Sequence, residues 1–400
     1  MRTRRWFLRT SGLAVGVLGT SPAWLVCGEA RAATRRRVLV VVFQRGAADA
    51  LNIVAPFFEP QYYRLRPGIA VPLPGASNGV LDLDGRFALN PSLRALAPMW
   101  AAGRLAVVHA TGSPDTSRSH AEAQDFMESG TAGSTLEEGW LTRAMRRASG
   151  NRSPLRALAT GTDVPRTLRG GRGAVALDDL SLFEAGSPQA AAILERLYGR
   201  SGDARLEAMG QSTFEALRAI EALRREPYTP AGGAQYQGDF GRRLQMVARL
   251  VKADVGVEVA FADIDGWDHH ASESQQLAAV LPELGQSLAA FATDLGDRMS
   301  DVVVVTMSEF GRTAAENGTG GTDHGHGSVM MVMGGPVRGG RVYGTWPGLE
   351  PEQLFEGRDL AVTTDFRDVL AELVRDHLGQ PTDGVFPGHA IGAPLGLLQT

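Results

Sequence analysis

The sequence predicts an α/β fold with a mainly parallel sheet, and three observations predict it. Continuous apolar, β-branched runs at 38–43 (VLVVVF) and 302–306 (VVVVT) read as strands buried on both faces. Such runs alternate along the chain with stretches of helical periodicity, the pattern of strand–helix–strand crossovers. Acidic residues and histidines follow the strands directly, where an open parallel sheet keeps its ligands.

Residues 1–32 stand apart from that fold. Arg4 and Arg5, followed by Phe7-Leu8, precede a weakly apolar stretch over 12–26 that is too short to span a bilayer. Ala30-Arg31-Ala32 then offers small residues for cleavage before Ala33. This reads as a twin-arginine signal, which exports folded proteins; an ordinary secretory signal or an uncleaved anchor is the alternative. Cys27, the single cysteine, lies in this segment after Trp24-Leu25-Val26, which lacks the small residue expected before a lipidated cysteine. The expectation is therefore passage through the twin-arginine translocase to the periplasm or beyond, with no stable membrane anchor.

Residues 33–400 are expected to form one domain. The whole chain has 40 basic and 44 acidic residues; without the five arginines and one glutamate of the leader its net charge is −8. No basic excess exists to hold a polyanion, so nucleic acid is not a partner class. The domain has no cysteine and so no disulfide. That suits folding and metal loading in a reducing compartment before export.

In chain order, the strand at 38–43 runs into Gln44-Arg45-Gly46-Ala47-Ala48-Asp49, and the Gly/Pro-rich 67–85 reads as loop. A short strand at 105–109 leads to the turn Gly112-Ser113-Pro114-Asp115. Residues 119–127 favour helix, with an anionic first turn. Helical periodicity covers 204–226 and 239–253, with breakers between them at 227–233. A strand at 255–264 ends in Asp265-Gly266-Trp267-Asp268-His269-His270. The amphipathic helix at 274–299 is interrupted by Pro282. The strand at 302–306 ends in Met307-Ser308-Glu309-Phe310-Gly311-Arg312. A glycine-rich loop carrying Thr322-Asp323-His324-Gly325-His326 follows, then a strand at 329–333 and a last helix at 365–378.

Five of the eight histidines fall in three short windows: His120, His269-His270, and His324 with His326. Together with Asp49, Asp268 and Glu309 at strand ends, they make a site for Zn²⁺ or a similar divalent ion, with nitrogen and carboxylate donors and no thiolate. Each window also has a bland reading. Asp49 can cap a turn, Glu309 and Arg312 can form a structural salt bridge, and Thr322–Gly325 can be a plain glycine turn. Ser119 opens a helix, a place suited to a nucleophile on an anionic ester and equally to an ordinary N-cap. On local grounds alone the N-cap reading wins.

Arg45-Gly46-Ala47-Ala48-Asp49-Ala50-Leu51-Asn52, Ser117-Arg118-Ser119-His120, Gly139-Trp140-Leu141, Gly266-Trp267-Asp268-His269-His270, Ser308–Thr313 (SEFGRT) and Gly321–Gly325 (GTDHG), behind a twin-arginine leader, resemble the domain of unknown function 1501 family across essentially all of 33–400. The resemblance implies an alkaline-phosphatase-like or sulfatase-like three-layer sandwich with a mainly parallel central sheet, holding divalent metal and a hydroxyl nucleophile. It implies Asp49, Asp268, His270, Glu309, Asp323 and His324 as metal ligands. Ser119 and His120 become catalytic, and Arg118, Arg312 and His326 bind substrate. His270 matches the family's ligand position better than His269. Phe310 stands where the superfamily has a histidine, which puts a second metal in doubt. Asp323-His324 either restores the count or itself forms the Asp-His-Gly motif, with Glu309 outside.

Two functions follow. One is an exported metal-dependent hydrolase of phosphate or sulfate esters, using Zn²⁺ or alternatively Mg²⁺, Mn²⁺ or Ca²⁺ on a small-molecule substrate. The other is a non-catalytic exported protein that keeps the fold for binding or structure.

Overall fold

The computed structural model describes residues 35–146, 153–171, 174–180, 195 and 204–399. The leader with Arg4, Arg5 and Cys27 lies outside the described residues.

The run at 38–43 forms β1 (Val38–Gln44), buried along its whole length. Val38, Val40 and Val42 join one hydrophobic core; Leu39, Val41 and Phe43 join another on the opposite face. A strand covered on both faces needs an apolar residue at every position, which is why it reads as a continuous run. The other strands of its sheet are β2 (Leu105–Gly112), β3 (Ala157–Thr160), β4 (Ala174–Leu177), β5 (Val259–Ile264), β6 (Val302–Met307), β7 (Ser328–Gly334), β8 (Arg341–Tyr343) and β9 (Thr364–Asp365). Their order is β8-β2-β7-β6-β1-β5-β3-β4, with β9 beside β2.

β1 sits between β5 and β6 and is parallel to both, with Val41 opposite Phe261 on one side and Val305 on the other. Only β7 is reversed, pairing antiparallel with β2 and β6. The remaining pairings in this sheet are parallel. The fold is thus α/β with the mainly parallel sheet expected.

The described helices include α1 (His120–Ser129), α2 (Ala204–Arg225), α3 (Gly238–Lys252), α4 (Glu273–Leu295) and α5 (Phe366–Glu372). Ile220, Phe240, Leu244, Leu284 and Leu288 bring α2, α3 and α4 onto one face of the sheet. Met127, Trp140, Leu141, Phe366 and Leu370 cover the other. Three layers result. Each such side chain taken fully out of water contributes about 1.5–3 kcal/mol.

Three details depart from the sequence reading. α4 runs unbroken through Pro282, because Leu277, Leu281, Leu284, Leu288 and Phe291 bury one stripe that outweighs a lost hydrogen bond. β5 begins only at Val259, since Asp254 and Gly256 take φ of +50° and +97°, which no strand accommodates. Strands β3, β4, β8 and β9 carry too little β-branched or alternating character to be read in advance.

Candidate metal centre

The loops after β1, β5 and β6 meet the start of α1 at the carboxyl edge of the sheet. They touch main chain to main chain. Gly46 has φ +118°, and a Cβ placed there would stand 2.6 Å from the Asp268 nitrogen; one at Gly321 would stand 2.4 Å from the His270 carbonyl carbon. Only glycine permits either approach.

Asp268 Oδ1 lies at the centre. Arg312 Nη2 donates to it at 2.6 Å, and the Nε2 atoms of His270, His324 and His120 stand 3.0, 3.3 and 3.5 Å away. Donor atoms of His120, Asp268 and His324 lie within 4.8 Å of one another, and His270 Nε2 is 3.0 Å from His324 Nε2.

The far nitrogen of each imidazole is held in place. His120 Nδ1 meets Glu309 Oε1 at 2.8 Å, His324 Nδ1 meets the Arg118 carbonyl at 2.8 Å, and His270 Nδ1 meets Asp323 Oδ1 at 3.1 Å. An N–H donated from Nδ1 leaves the lone pair on Nε2, so these partners set the tautomer of all three rings. Two such lone pairs 3.0 Å apart repel unless a cation or a shared proton lies between them. His120 Nε2 is moreover buried without a hydrogen-bond partner. Two imidazoles and one carboxylate, those of His120, His324 and Asp268, with the His270 ring beside them, fit a divalent ion of the zinc type better than oxygen-seeking Mg²⁺ or Ca²⁺.

Burial would raise the Asp268 carboxyl, but the hydrogen bond and charge of Arg312 hold it down at about 2. The Glu309 hydrogen bond raises His120, whereas burial lowers His324. Glu309 itself is buried; its Oε1 also accepts from the Gly46 N–H and from Gln124 Nε2, at 2.8 and 2.9 Å. Phe310 stacks on His120 at 5.1 Å and forms an apolar wall with Ala47 and Ala123.

The other expected site residues are placed as follows. Asp49 is not brought into the cluster: both its oxygens take a bidentate pair from Arg66, at 2.5 and 2.9 Å, and Oδ2 also caps Asn52 N. Glu309 and Asp323 stand behind imidazoles rather than among the Nε2 atoms. Arg312 is fully buried, donates to carbonyls of Gly46, Ala47, Trp267 and Thr322, and pairs with Asp268, so no Glu309–Arg312 bridge forms. The Arg118 guanidinium is paired with Glu356 and Asp359 at 2.6 and 2.7 Å. His326 is buried and stacked on Phe355. His269 turns away and bonds the Gly266 carbonyl at 2.6 Å. Ser119 opens α1 with an exposed side chain that makes no capping bond. Among the described residues only one group of three or more candidate donors gathers.

Two residues that the sequence did not single out, Arg66 and Glu273, sit fully buried beneath the cluster. Nothing local marks either one, because their partners are 17 and 49 residues or more away.

No curated protein matches this sequence. Solved structures give distant likenesses. Ps i-CgsB, in complex with k-i-k-neocarrahexaose, is 11% identical over 87% of this chain and 72% of its own, with a TM-score of 0.40. Thermus thermophilus alkaline phosphatase is 15% identical over 73% of this chain and 64% of its own, with a TM-score of 0.29. Alkaline phosphatase from the Antarctic bacterium TAB5 is 9% identical over 78% and 95%, with a TM-score of 0.31. Likenesses this distant transfer no chemistry. The family profile described as Protein of unknown function (DUF1501) matches residues 36–391, and the chain belongs to that family.

Proposed function

We propose that the protein is a metal-dependent hydrolase of phosphate or sulfate esters, with one divalent ion, zinc for preference, held by His120, His270, His324 and Asp268. The convergence of three tautomer-fixed Nε2 atoms on Asp268 carries this reading. A divalent ion there supplies Lewis acidity to an ester oxygen. Ser119 is the candidate nucleophile: it precedes His120 in the chain, and its hydroxyl is free of the capping bond that such a position usually makes. The test is metal content after purification, followed by aryl phosphate, phosphodiester and sulfate substrates with and without added zinc. Turnover that tracks bound metal supports the reading, and a metal-free protein sinks it.

One observation favours a non-catalytic binding role instead. Arg312, one of the two arginines expected to hold an anionic ester, is turned inward to Asp268 and to the carbonyls of Gly46, Ala47, Trp267 and Thr322. Stoichiometric metal without turnover on any ester would establish that alternative.

Ser119→Ala separates the roles of the hydroxyl. With no capping bond to lose, it should change stability by less than the roughly 1 kcal/mol typical of a broken N-cap. Hydrolysis should be abolished while metal stays bound. Full activity in Ser119→Ala or Ser119→Asp would pass the nucleophile role to Ser117 or to water.

We further propose twin-arginine export to the periplasm, supported by Arg4-Arg5 and Phe7-Leu8. Changing both arginines to lysine should strand precursor in the cytoplasm, visible by fractionation. Undiminished export would reject the route.

A further inference from the structure

Beneath the candidate metal centre lies a second polar cluster that the proposed chemistry does not use. Asp49 and Glu273 are both buried, within hydrogen-bonding reach of each other, and share one cation, Arg66. Arg66 grips Asp49 through two N–H groups and gives two more to the carbonyls of Thr313 and Ala314. Glu273 Oε1 accepts from Asn52 Nδ2 at 3.0 Å, and its Oε2 lies 2.6 Å from the hydroxyl of Thr322. Tyr62 completes the cluster by donating to Asn52 Oδ1 at 2.7 Å.

The other charged or titratable groups facing the pair do not balance the second acid. Arg312 is directed to carbonyls and to Asp268. Burial lowers the pKa of His109 and of His269, so neither brings a charge at neutral pH. Burial holds the Tyr62 phenol neutral. One buried cation against two carboxylates in contact leaves one negative charge uncompensated, an arrangement that a dry interior resists strongly.

We propose that Asp49 and Glu273 share one proton, carried by Glu273 and donated to the Asp49 carboxylate, and that this neutral-plus-ionised pair is a pH-sensitive foundation under the metal-site loops. The direction of each group agrees: Glu273 is pushed up to about 9 by burial and by Asp49, while Arg66 keeps Asp49 low against its own burial. The linkage has a definite sign. Between the ordinary glutamate range near 4.3 and about 9, the folded chain holds a proton that the unfolded chain has released. Stability from the Glu273 proton is therefore full at the acid end of that window and declines as pH rises through it.

Glu273→Gln, the neutral isostere, removes the linkage. Its midpoint of thermal unfolding should gain on the wild type progressively from pH 5 to pH 9. A difference between the two proteins that stays constant with pH would overturn the proposal. Infrared spectra of the wild type provide a readout that needs no variant. A protonated-carboxyl C=O stretch should be present at pH 7 in heavy water and fade in alkali. It should be missing in Glu273→Gln, and also in Asp49→Asn, where Arg66 is left to ionise Glu273. Absence of that band from the wild type, or its survival in both variants, would place no shared proton here.

Discussion

Replacement of Arg66 by methionine is expected to remove a large part of the protein's stability. Methionine fills most of the volume but returns none of the four hydrogen bonds, to Asp49 twice and to the Thr313 and Ala314 carbonyls. A carboxylate is then stranded in the interior beside Glu273, and breaking a buried pair in this way costs about 3–5 kcal/mol. Whole domains are stable by only about 5–15 kcal/mol. Denaturant unfolding of Arg66→Met should show a lowered midpoint at unchanged slope. Arg66→Met combined with Asp49→Asn should recover part of the loss, because the stranded charge is gone. A single mutant with the wild-type midpoint would show that the pair contributes nothing.

His120→Ala is expected to empty the metal centre while leaving the fold intact. The ring supplies one of the three gathered donors, with Asp268 and His324, and is partly exposed, so its removal opens little core. Bound metal, read by elemental analysis, should drop to background. The metal-dependent rise in unfolding temperature should vanish with it; for a native-state ligand at 100 times its Kd that rise corresponds to about 2.7 kcal/mol. Glu309→Gln should act more mildly, because the Nε2 donor remains and only its orientation suffers, a loss of about 10–100-fold in affinity. His269→Ala should leave metal content unchanged, since that ring faces Gly266. Wild-type metal content in His120→Ala would remove this cluster from consideration.

The sheet was legible because β1 and β6 are buried on both faces, and such strands have no polar positions to blur them. Short strands of small residues such as β3 (ALAT) lack that signature. The neighbourhood of the site was legible too, since ligands gather beyond the carboxyl ends of parallel strands. The allocation of roles within it was not. Whether a carboxylate faces the centre, as Asp268 does, or stands behind an imidazole, as Glu309 does, depends on a few ångströms of loop path. Asp49 shows the difficulty most clearly. It follows β1 where a ligand would, yet Arg66, only 17 residues on, holds it in the interior through a contact that no local pattern encodes.

The one reversed strand sets where the chain tolerates insertion. Because β7 runs antiparallel to β6, the chain leaves and re-enters the sheet at the same edge, so residues 308–327 form a tethered excursion rather than a crossover. Parallel strands need a helix to carry the chain back, and altering such a connection disturbs a packed layer. Here the segment that supplies Glu309, Arg312, Asp323 and His324 is fixed at both ends by buried contacts, and only its exposed tip at Gly318 and Thr319 is open to change while every layer stays in register. Insertions at that tip should therefore be tolerated with the scaffold unchanged.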